Sequence, residues 1–168
     1  MRTIAVITTS RSDYSIYLPI LRKINADKNL RLHLIASGTH LVNEFGQTVD
    51  DIISDGLDIA DRVEILLHSD APEAISKSMG LGIIGFAQVL SRVKPDVLLL
   101  LGDRFEMHAA ASAALPFKIP VAHIHGGELT EGAIDDSFRH SITKLSHIHF
   151  VAASEYALRV RQLGEEPW

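Results

Sequence analysis

The 168-residue sequence contains no cysteine. This absence excludes disulfide bonds, catalysis by a thiolate and zinc sites with cysteine ligands. Basic runs are missing too, and 16 basic against 21 acidic residues give a formal net charge of −5, so nucleic acid is not an expected partner. The apolar stretch at residues 4–7 is too short for a signal peptide, and we expect no apolar segment to approach the length that spans a membrane. These absences favour a soluble, cytoplasmic protein.

Apolar stretches typical of strands alternate along the chain with stretches typical of helices. Hydrophobic residues make up 46% of the sequence, which suits one globular domain with a full core. We predict strands at residues 2–9, 30–37, 59–67, 97–101, 120–124 and 147–152. We predict a helix that follows a polar turn at residues 10–13 and runs to about residue 27. We predict further helices at residues 48–54, 71–93, 106–115, 135–144 and 154–163. The alternation predicts an α/β fold with a doubly wound, mostly parallel, Rossmann-like sheet of strand order 3-2-1-4-5-6.

Charged side chains follow several of these strands at the point where each strand ends. Asp103 and Arg104 come after the fourth strand, and Glu128 comes after the fifth. Arg11 follows the first strand, which neighbours the fourth in the predicted order. Ligands of open α/β sheets bind beyond the carboxyl ends of the strands. We therefore expect these four residues to cluster at one edge of the sheet.

The acidic residues near this edge suit proton transfer. Carboxylates that crowd together raise one another's pKa, which brings proton exchange closer to neutral pH. Asp103 and Glu128 are the best candidates, because each directly follows a glycine at the end of a buried strand. The other acids have simpler expected roles. We expect Glu106 and Glu131 to face water, and Asp135 and Asp136 to cap the helix that begins there.

Arg11 and Arg104 allow two interpretations. Two guanidinium groups at neighbouring strand ends suit a phosphate or diphosphate ligand. Either arginine could instead form a surface ion pair. The sequence leaves this choice open.

Two further patterns suggest cofactors that we do not expect. Residues 80–85, GLGIIG, match the dinucleotide-binding fingerprint, but a helix-forming stretch precedes them where the fingerprint requires a strand. Close helix packing is the expected role of these glycines. His123 with His125, and His147 with His149, share strand faces, yet no spacing matches a common metal-ligand pattern. We predict neither a nicotinamide cofactor nor a metal.

Four segments carry a resemblance to one enzyme family: TTSRSDYS at residues 8–15, GDRFE at 102–106, HIHGGE at 123–128 and IDDSFRHSITKLSH at 134–147. In these segments the chain resembles the hydrolysing UDP-N-acetylglucosamine 2-epimerases, such as those of bacterial sialic acid synthesis. The resemblance implies a two-domain, GT-B-like enzyme with its active site between the domains. Residues 1–168 would form the Rossmann-like N-terminal domain, and the C-terminal domain would be absent from this chain.

The family reaction needs no cofactor. UDP leaves C1 as the C2 proton is removed, and water adds to the resulting 2-acetamidoglucal to give N-acetylmannosamine. The resemblance places Asp103 and Asp135 at acid–base positions of the family, and Arg11, Ser15 and Arg104 at positions that contact UDP. Which residue removes the C2 proton and which activates water stays open.

One position departs from the family pattern. Relatives of the animal type place a glutamate where this chain has His125. Either His125 or Glu128 would then take the acid–base role, and the sequence does not decide between them.

Other functions and properties are also open. A related enzyme acts on a UDP-2,4-diacetamido-trideoxy sugar in legionaminic acid synthesis, and a non-catalytic domain that binds nucleotide sugars is a further alternative. The resemblance implies a homo-oligomer when full length and little activity for the 168-residue chain alone. Trp168 follows the stop of the last helix, where a linker into another domain would begin.

Overall fold

Six parallel strands form one sheet in the computed structural model, which describes residues 1–46, 48–67, 69–130 and 134–166. Their order, β3-β2-β1-β4-β5-β6, confirms the predicted one. The strands are β1 Arg2–Thr8, β2 Leu30–Ser37, β3 Ile59–Val63, β4 Val97–Leu101, β5 Val121–Ile124 and β6 Ile148–Phe150. The helices are α1 Arg11–Ala26, α2 Val49–Ser54, α3 Pro72–Val93, α4 Phe105–Ala114, α5 Asp135–Leu145 and α6 Ser154–Gln162.

The two edge strands are shorter than predicted. β3 ends at Val63 although residues 64–67 continue the apolar pattern. Ile65 is buried outside the strand, and the amide of Leu67 donates to the Ser78 hydroxyl at 3.1 Å instead of to a neighbouring strand. The apolar pattern therefore reflects packing on the core rather than strand pairing. β6 likewise covers three residues and leaves Ile148 and Phe150 exposed.

The central strands are buried because helices cover both faces of the sheet. All four residues of β5 and four of the five in β4 are buried. The alanine-rich α4 packs between α3 and α5, and seven of its ten residues are buried. Small side chains let this helix approach the sheet closely. The continuous apolar runs thus mark strands that are buried on both faces.

The glycine-rich segment at residues 80–85 lies inside α3. A Cβ atom on Gly85 would lie 2.5 Å from Cγ1 of Val63, and one on Gly82 would lie 3.1 Å from Cβ of Ala109. These two glycines let α3 pack closely, as predicted. Since no strand directly precedes the segment, it is not a dinucleotide-binding loop.

The same helix corrects one expectation from the sequence. α3 has 22 residues and a mean hydropathy of 1.3 in its most apolar window, so by length and composition it could cross a membrane. The expectation that no segment reaches this length is therefore wrong. In the fold, 28% of that window is buried, and Gly82 and Gly85 face other elements of the domain. A core helix can pass the same test of length and composition, so the finding is weak evidence for a membrane.

Candidate active site

One buried arginine on α5 connects the polar residues that follow β4 and β5. The Arg139 side chain is only 6% exposed. Its Nη1 donates to the backbone carbonyl of His125 at 2.9 Å and lies 3.5 Å from the Glu128 carboxylate. Its Nη2 donates to the Thr130 hydroxyl at 3.0 Å and to the carboxylate of Asp103. We call Arg139 and these four partners the Arg139 cluster.

The two residues left as alternatives by the sequence are in contact. The Glu128 carboxylate forms a hydrogen bond with Nδ1 of His125, and both side chains are partly exposed. The second ring nitrogen of His125, Nε2, has no hydrogen-bond partner among the described residues. Glu128 therefore orients the imidazole and leaves Nε2 for another group.

The backbone at His125 adopts a conformation that is uncommon for a residue with a side chain. Its φ is +63°, in the left-handed region that costs a non-glycine residue roughly 1–2 kcal/mol. The His125 amide still donates to the carbonyl of Phe150 at 2.9 Å, which anchors the turn to β6. Together with the bond from Arg139, this anchor holds the strained turn in place.

The two glycines of HIHGGE allow other elements to approach the turn. Gly127 has φ +80°, and a Cβ atom there would clash with the carbonyl oxygen of Tyr156 on α6. Arg159, also on α6, donates to the Gly127 carbonyl. A Cβ atom on Gly126 would lie 3.0 Å from Nδ1 of His123. These close contacts fix the turn that carries His125.

His123 lies beneath the site and does not titrate near neutral pH. It is fully buried, and burial lowers its pKa to about 4 although its bond to Gly102 opposes the shift. Nε2 donates to the Gly102 carbonyl at 2.7 Å, and Nδ1 lies 3.2 Å from the Thr143 hydroxyl. His123 thus holds the residue that precedes Asp103.

The histidine pairs do not form a metal site within the part of the chain that is described. No group of three or more histidine, aspartate or glutamate side chains there is arranged to hold a metal ion. His123 uses its nitrogens as above, and His149, its partner in register on β6, lies 3.3 Å from Glu165. That the reaction needs no metal stays a prediction.

Glu106 is buried, so the expectation that it faces water is wrong. Its side chain is fully buried and accepts hydrogen bonds from Arg104, at 2.7 Å from Nη2 and 3.2 Å from Nε. A buried carboxylate is tolerated when such a partner neutralises it. Burial alone would lower the pKa of Arg104, but Glu106 and the nearby charges of Asp13 and Asp135 raise it. Arg104 therefore stays charged, with Asp135 close enough to act on it.

The sequence suggested that Asp135 and Asp136 cap α5, and this expectation is wrong. The N-cap residue is Ile134, and both aspartates lie in the first helical turn. Asp136 instead accepts a hydrogen bond from the Thr130 amide at 2.8 Å, which holds Thr130 beside Arg139. Glu131, predicted to be solvated, and Trp168, predicted to begin a linker, lie outside the described residues.

Arg11 and Ser15 belong to a second group at the same sheet edge. The Ser15 hydroxyl donates to the Arg11 carbonyl at 2.8 Å, and Arg11 forms an exposed ion pair with Asp51 at 3.6 Å. An exposed pair of this kind contributes little to stability. A groove of about 740 Å³ runs beside them, which we call the Arg11 groove. Its lining includes Ser10, Arg11, Ser15, Thr39, Thr48 and Asp51.

Comparison with known proteins assigns the family. Residues 22–168 match the family described as UDP-N-acetylglucosamine 2-epimerase. The chain belongs to this family. The resemblance inferred from the four sequence segments is thereby confirmed.

Relatives in this epimerase family align with nearly all of the chain but extend well beyond its length. The chain is 43% identical over 165 residues to the GDP/UDP-N,N'-diacetylbacillosamine 2-epimerase (hydrolyzing) of Campylobacter jejuni, covering 98% of this chain and 43% of that protein. It is 34% identical over 166 residues to the UDP-N-acetylglucosamine 2-epimerase of Neisseria meningitidis, and this match covers 99% of this chain and 43% of that protein. The chain thus spans less than half the length of these curated relatives.

A solved structure of the family shares the fold. The UDP-GlcNAc 2-epimerase from Neisseria meningitidis, solved with UDP-GlcNAc bound, matches with a TM-score of 0.85 at 20% identity, over 99% of this chain and 44% of that one. At this identity the match supports the fold alone.

Arg139 was not named as a candidate site residue from the sequence, and Glu106 was named but expected to face water. Arg139 lies in the family segment at residues 134–147, and its position one turn after Asp135 was the available signal. Glu106 follows Arg104 by two residues, but its burial depends on the packing of α4. Asp103, His125 and Glu128 lie together in the Arg139 cluster, whereas Arg11 and Ser15 line the separate groove.

The lowered pKa of His123 predicts how stability depends on pH. Between about pH 6.5 and pH 4 the unfolded ring binds a proton while the folded ring does not. The stabilisation of the folded state by neutral His123 is therefore complete above about pH 6.5, and it is lost as pH falls toward 4. The loss reaches up to about 1.4 kcal/mol per pH unit. Urea unfolding at pH 7, 6 and 5 should show a steeper loss for the wild type than for His123→Gln, which keeps a donor for Gly102 but cannot titrate. Equal slopes for the two proteins would contradict this account.

Proposed function

We propose that this chain is the Rossmann-like N-terminal domain of a hydrolysing UDP-sugar 2-epimerase with a GT-B-like second domain. The observation that carries the proposal is the Arg139 cluster, which gathers two carboxylates and a histidine at the ends of β4 and β5. Membership of the epimerase family supports it. Because the chain spans only 43% of the Campylobacter jejuni relative, we propose that a second domain completes the site.

The substrate we propose is UDP-N-acetylglucosamine, with free N-acetylmannosamine for sialic acid synthesis as product. A second candidate is a UDP-2,4-diacetamido-trideoxy sugar. One observation favours it: the relative named for diacetylbacillosamine is 43% identical to this chain, against 34% for the relative named for UDP-N-acetylglucosamine. Both substrates carry the 2-acetamido group and the UDP leaving group that the reaction requires.

The proposed reaction proceeds in two proton-transfer steps. A base removes the C2 proton as the C1–O bond breaks, so that UDP leaves with the bonding electrons and a 2-acetamidoglucal remains. Water then adds across this double bond, with hydroxyl bonding to C1 and a proton arriving at C2 from the opposite face. Neither step is a redox reaction, so neither needs a redox cofactor. Acid–base side chains can move the protons of both steps, and we propose that no metal takes part.

The contacts of the Arg139 cluster suggest how the acid–base roles divide. Glu128 holds Nδ1 of His125, so we propose that His125 exchanges the proton through Nε2 and that Glu128 orients it. Asp103 is held by Arg139 yet is 23% exposed, which leaves it accessible to a substrate. Asp135, near Arg104, is the second carboxylate in an acid–base role.

Three residues are proposed to contact the UDP group. Arg11 and Ser15 line the Arg11 groove, and the guanidinium of Arg104 is held in place by the buried Glu106. Arginine side chains suit a diphosphate because their planar group donates several hydrogen bonds at once. Arg104 is charged at neutral pH, as arginine side chains in proteins are.

A cytoplasmic homo-oligomer is part of the proposal. The absence of cysteine permits a reducing compartment, and α3 exposes three large apolar side chains, Leu81, Ile83 and Ile84. Sedimentation velocity of the intact protein at micromolar concentration should show a species larger than the monomer. A monomer alone would contradict the oligomer.

The direct test of the proposed function is turnover by the intact gene product in deuterated water. UDP-N-acetylglucosamine and the UDP-2,4-diacetamido-trideoxy sugar are supplied in parallel. We expect free UDP and a free sugar with inverted, deuterated C2 from at least one of them, with or without a chelator. UDP binding without turnover of either would support the non-catalytic alternative and contradict the proposal.

Substitutions in the intact protein should separate the acid–base residues. Asp103→Asn keeps the size of the side chain but removes the basic carboxylate, so kcat should fall at least about 100-fold. His125→Gln should lower kcat by a similar factor. Glu128→Gln should lower kcat less than about tenfold, because the amide oxygen can still accept a hydrogen bond from Nδ1 of His125. Steady-state kinetics, with added 2-acetamidoglucal, show which half-reaction each variant lacks. A large loss of kcat in Glu128→Gln, with nearly normal kcat in His125→Gln, would reverse the roles assigned to the two residues.

A further inference from the structure

The Arg11 groove lies between two segments that are distant in sequence. One wall is the turn after β1 and the start of α1, which carry Arg11 and Ser15. The other wall follows β2 and includes Thr39, Thr48 and the start of α2. Because the walls come from different strand ends, bonds between them must set the width of the groove.

His40 makes such a bond between the walls. Its side chain is fully buried, with Nε2 2.9 Å from the Thr8 hydroxyl and Nδ1 2.6 Å from the Thr48 hydroxyl. The Thr8 hydroxyl donates to Asp13 at 2.7 Å, so the hydrogen between His40 and Thr8 belongs to Nε2. A continuous chain of hydrogen bonds thus runs from Thr48 through His40 and Thr8 to Asp13.

At one end of this chain, Asp13 fixes the wall that carries Arg11. Its carboxylate is buried and accepts from the amide and hydroxyl of Thr9, both at 2.8 Å, and from the amide of Ser10 at 3.1 Å. Burial alone would raise the pKa of Asp13, but His40, whose Nε2 lies 3.9 Å from the carboxylate, and the hydrogen bonds from Thr8 and Thr9 lower it. The ionised carboxylate therefore holds the turn from which α1 starts.

At the other end, Thr48 connects the chain to α2. It occupies the N-cap position of α2, where a threonine hydroxyl ordinarily bonds to the helix amides, yet it makes no such bond. Its hydroxyl contacts His40 instead. One turn into α2, Asp51 reaches back across the groove to Arg11 at 3.6 Å. The helix that His40 holds is thus the one that faces Arg11.

From these contacts we infer that His40 is a positioning residue for the nucleotide. Through Thr48 and Thr8 it holds the two walls of the Arg11 groove together and so sets where Arg11 and Ser15 meet the UDP group. This inference rests on the proposed function. His40 bonds to Thr8 and Thr48, and neither of these belongs to the Arg139 cluster. Weakening the link should therefore affect substrate binding more than the chemical steps.

The test uses a matched pair of substitutions at Thr48 in the intact protein. Thr48→Val removes the hydroxyl and keeps the shape, whereas Thr48→Ser keeps the hydroxyl. We expect Thr48→Val to raise KM for the UDP-sugar, and Kd for UDP by calorimetry, about five- to tenfold, as the loss of one hydrogen bond predicts. The kcat of Thr48→Val should stay within about twofold, and Thr48→Ser should restore KM and Kd to within about twofold of the wild type.

A second background separates positioning from general stability. In a protein that already carries Arg11→Ala and Ser15→Ala, Thr48→Val should raise Kd less than about twofold further, because the groups that it positions are gone. Equal rises in both backgrounds would overturn the inference, as would an unchanged Kd in Thr48→Val alone. Turnover by the wild type tests the proposed function separately, and its absence would contradict that function. The role of His40 would still be decided by the rise in Kd that Thr48→Val causes in each of the two backgrounds. Absence of UDP binding would overturn both.

Discussion

The charge of one buried guanidinium constrains the site. Arg139 sits on α5 with almost no exposed side chain, and a buried cation is tolerated only when anions and acceptors surround it. It finds Asp103 beyond β4, Glu128 in the turn beyond β5 and two oxygens of that same turn. The requirement to pair Arg139 therefore brings acids from two strand ends together. The same requirement orients His125, because Glu128 contacts both residues.

Close packing around the turn after β5 makes this arrangement rigid. His125 holds a left-handed backbone, and Gly127 approaches the backbone of α6 more closely than any residue with a side chain could. Such strain is kept where the surrounding structure compensates for it, as it often is at functional sites. The Arg11 groove is built differently, since hydrogen bonds through His40 join its walls. The sheet edge thus carries a rigid cluster, to which we assign the proposed acid–base steps, and a separate groove, to which we assign the proposed binding of the UDP group.

The sequence predicts the parts of this design that depend on local pattern. Alternating apolar and helical stretches gave the strand order, and glycine-terminated strands placed Asp103 and Glu128 at one edge. The predicted roles of Glu106, Asp135 and Asp136 were wrong. Whether a carboxylate is buried or caps a helix depends on which residues lie near it in the folded chain. Arg139 contacts Asp103 from 36 positions away, and His40 contacts Thr8 from 32. No local pattern reveals such contacts.

The most direct test of this account asks whether Arg139 and Asp103 act as one unit. A double-mutant cycle on kcat/KM of the intact protein compares Arg139→Lys, Asp103→Asn and the double variant, with circular dichroism as a control for folding. Lysine keeps the charge but has three donors on one nitrogen, so it lacks the planar guanidinium whose two Nη atoms reach all four partners of Arg139. If Arg139 organises the acid–base residues, each single variant should lose at least about 100-fold and the double variant little more than the worse single one. Losses that multiply in the double variant would contradict the account.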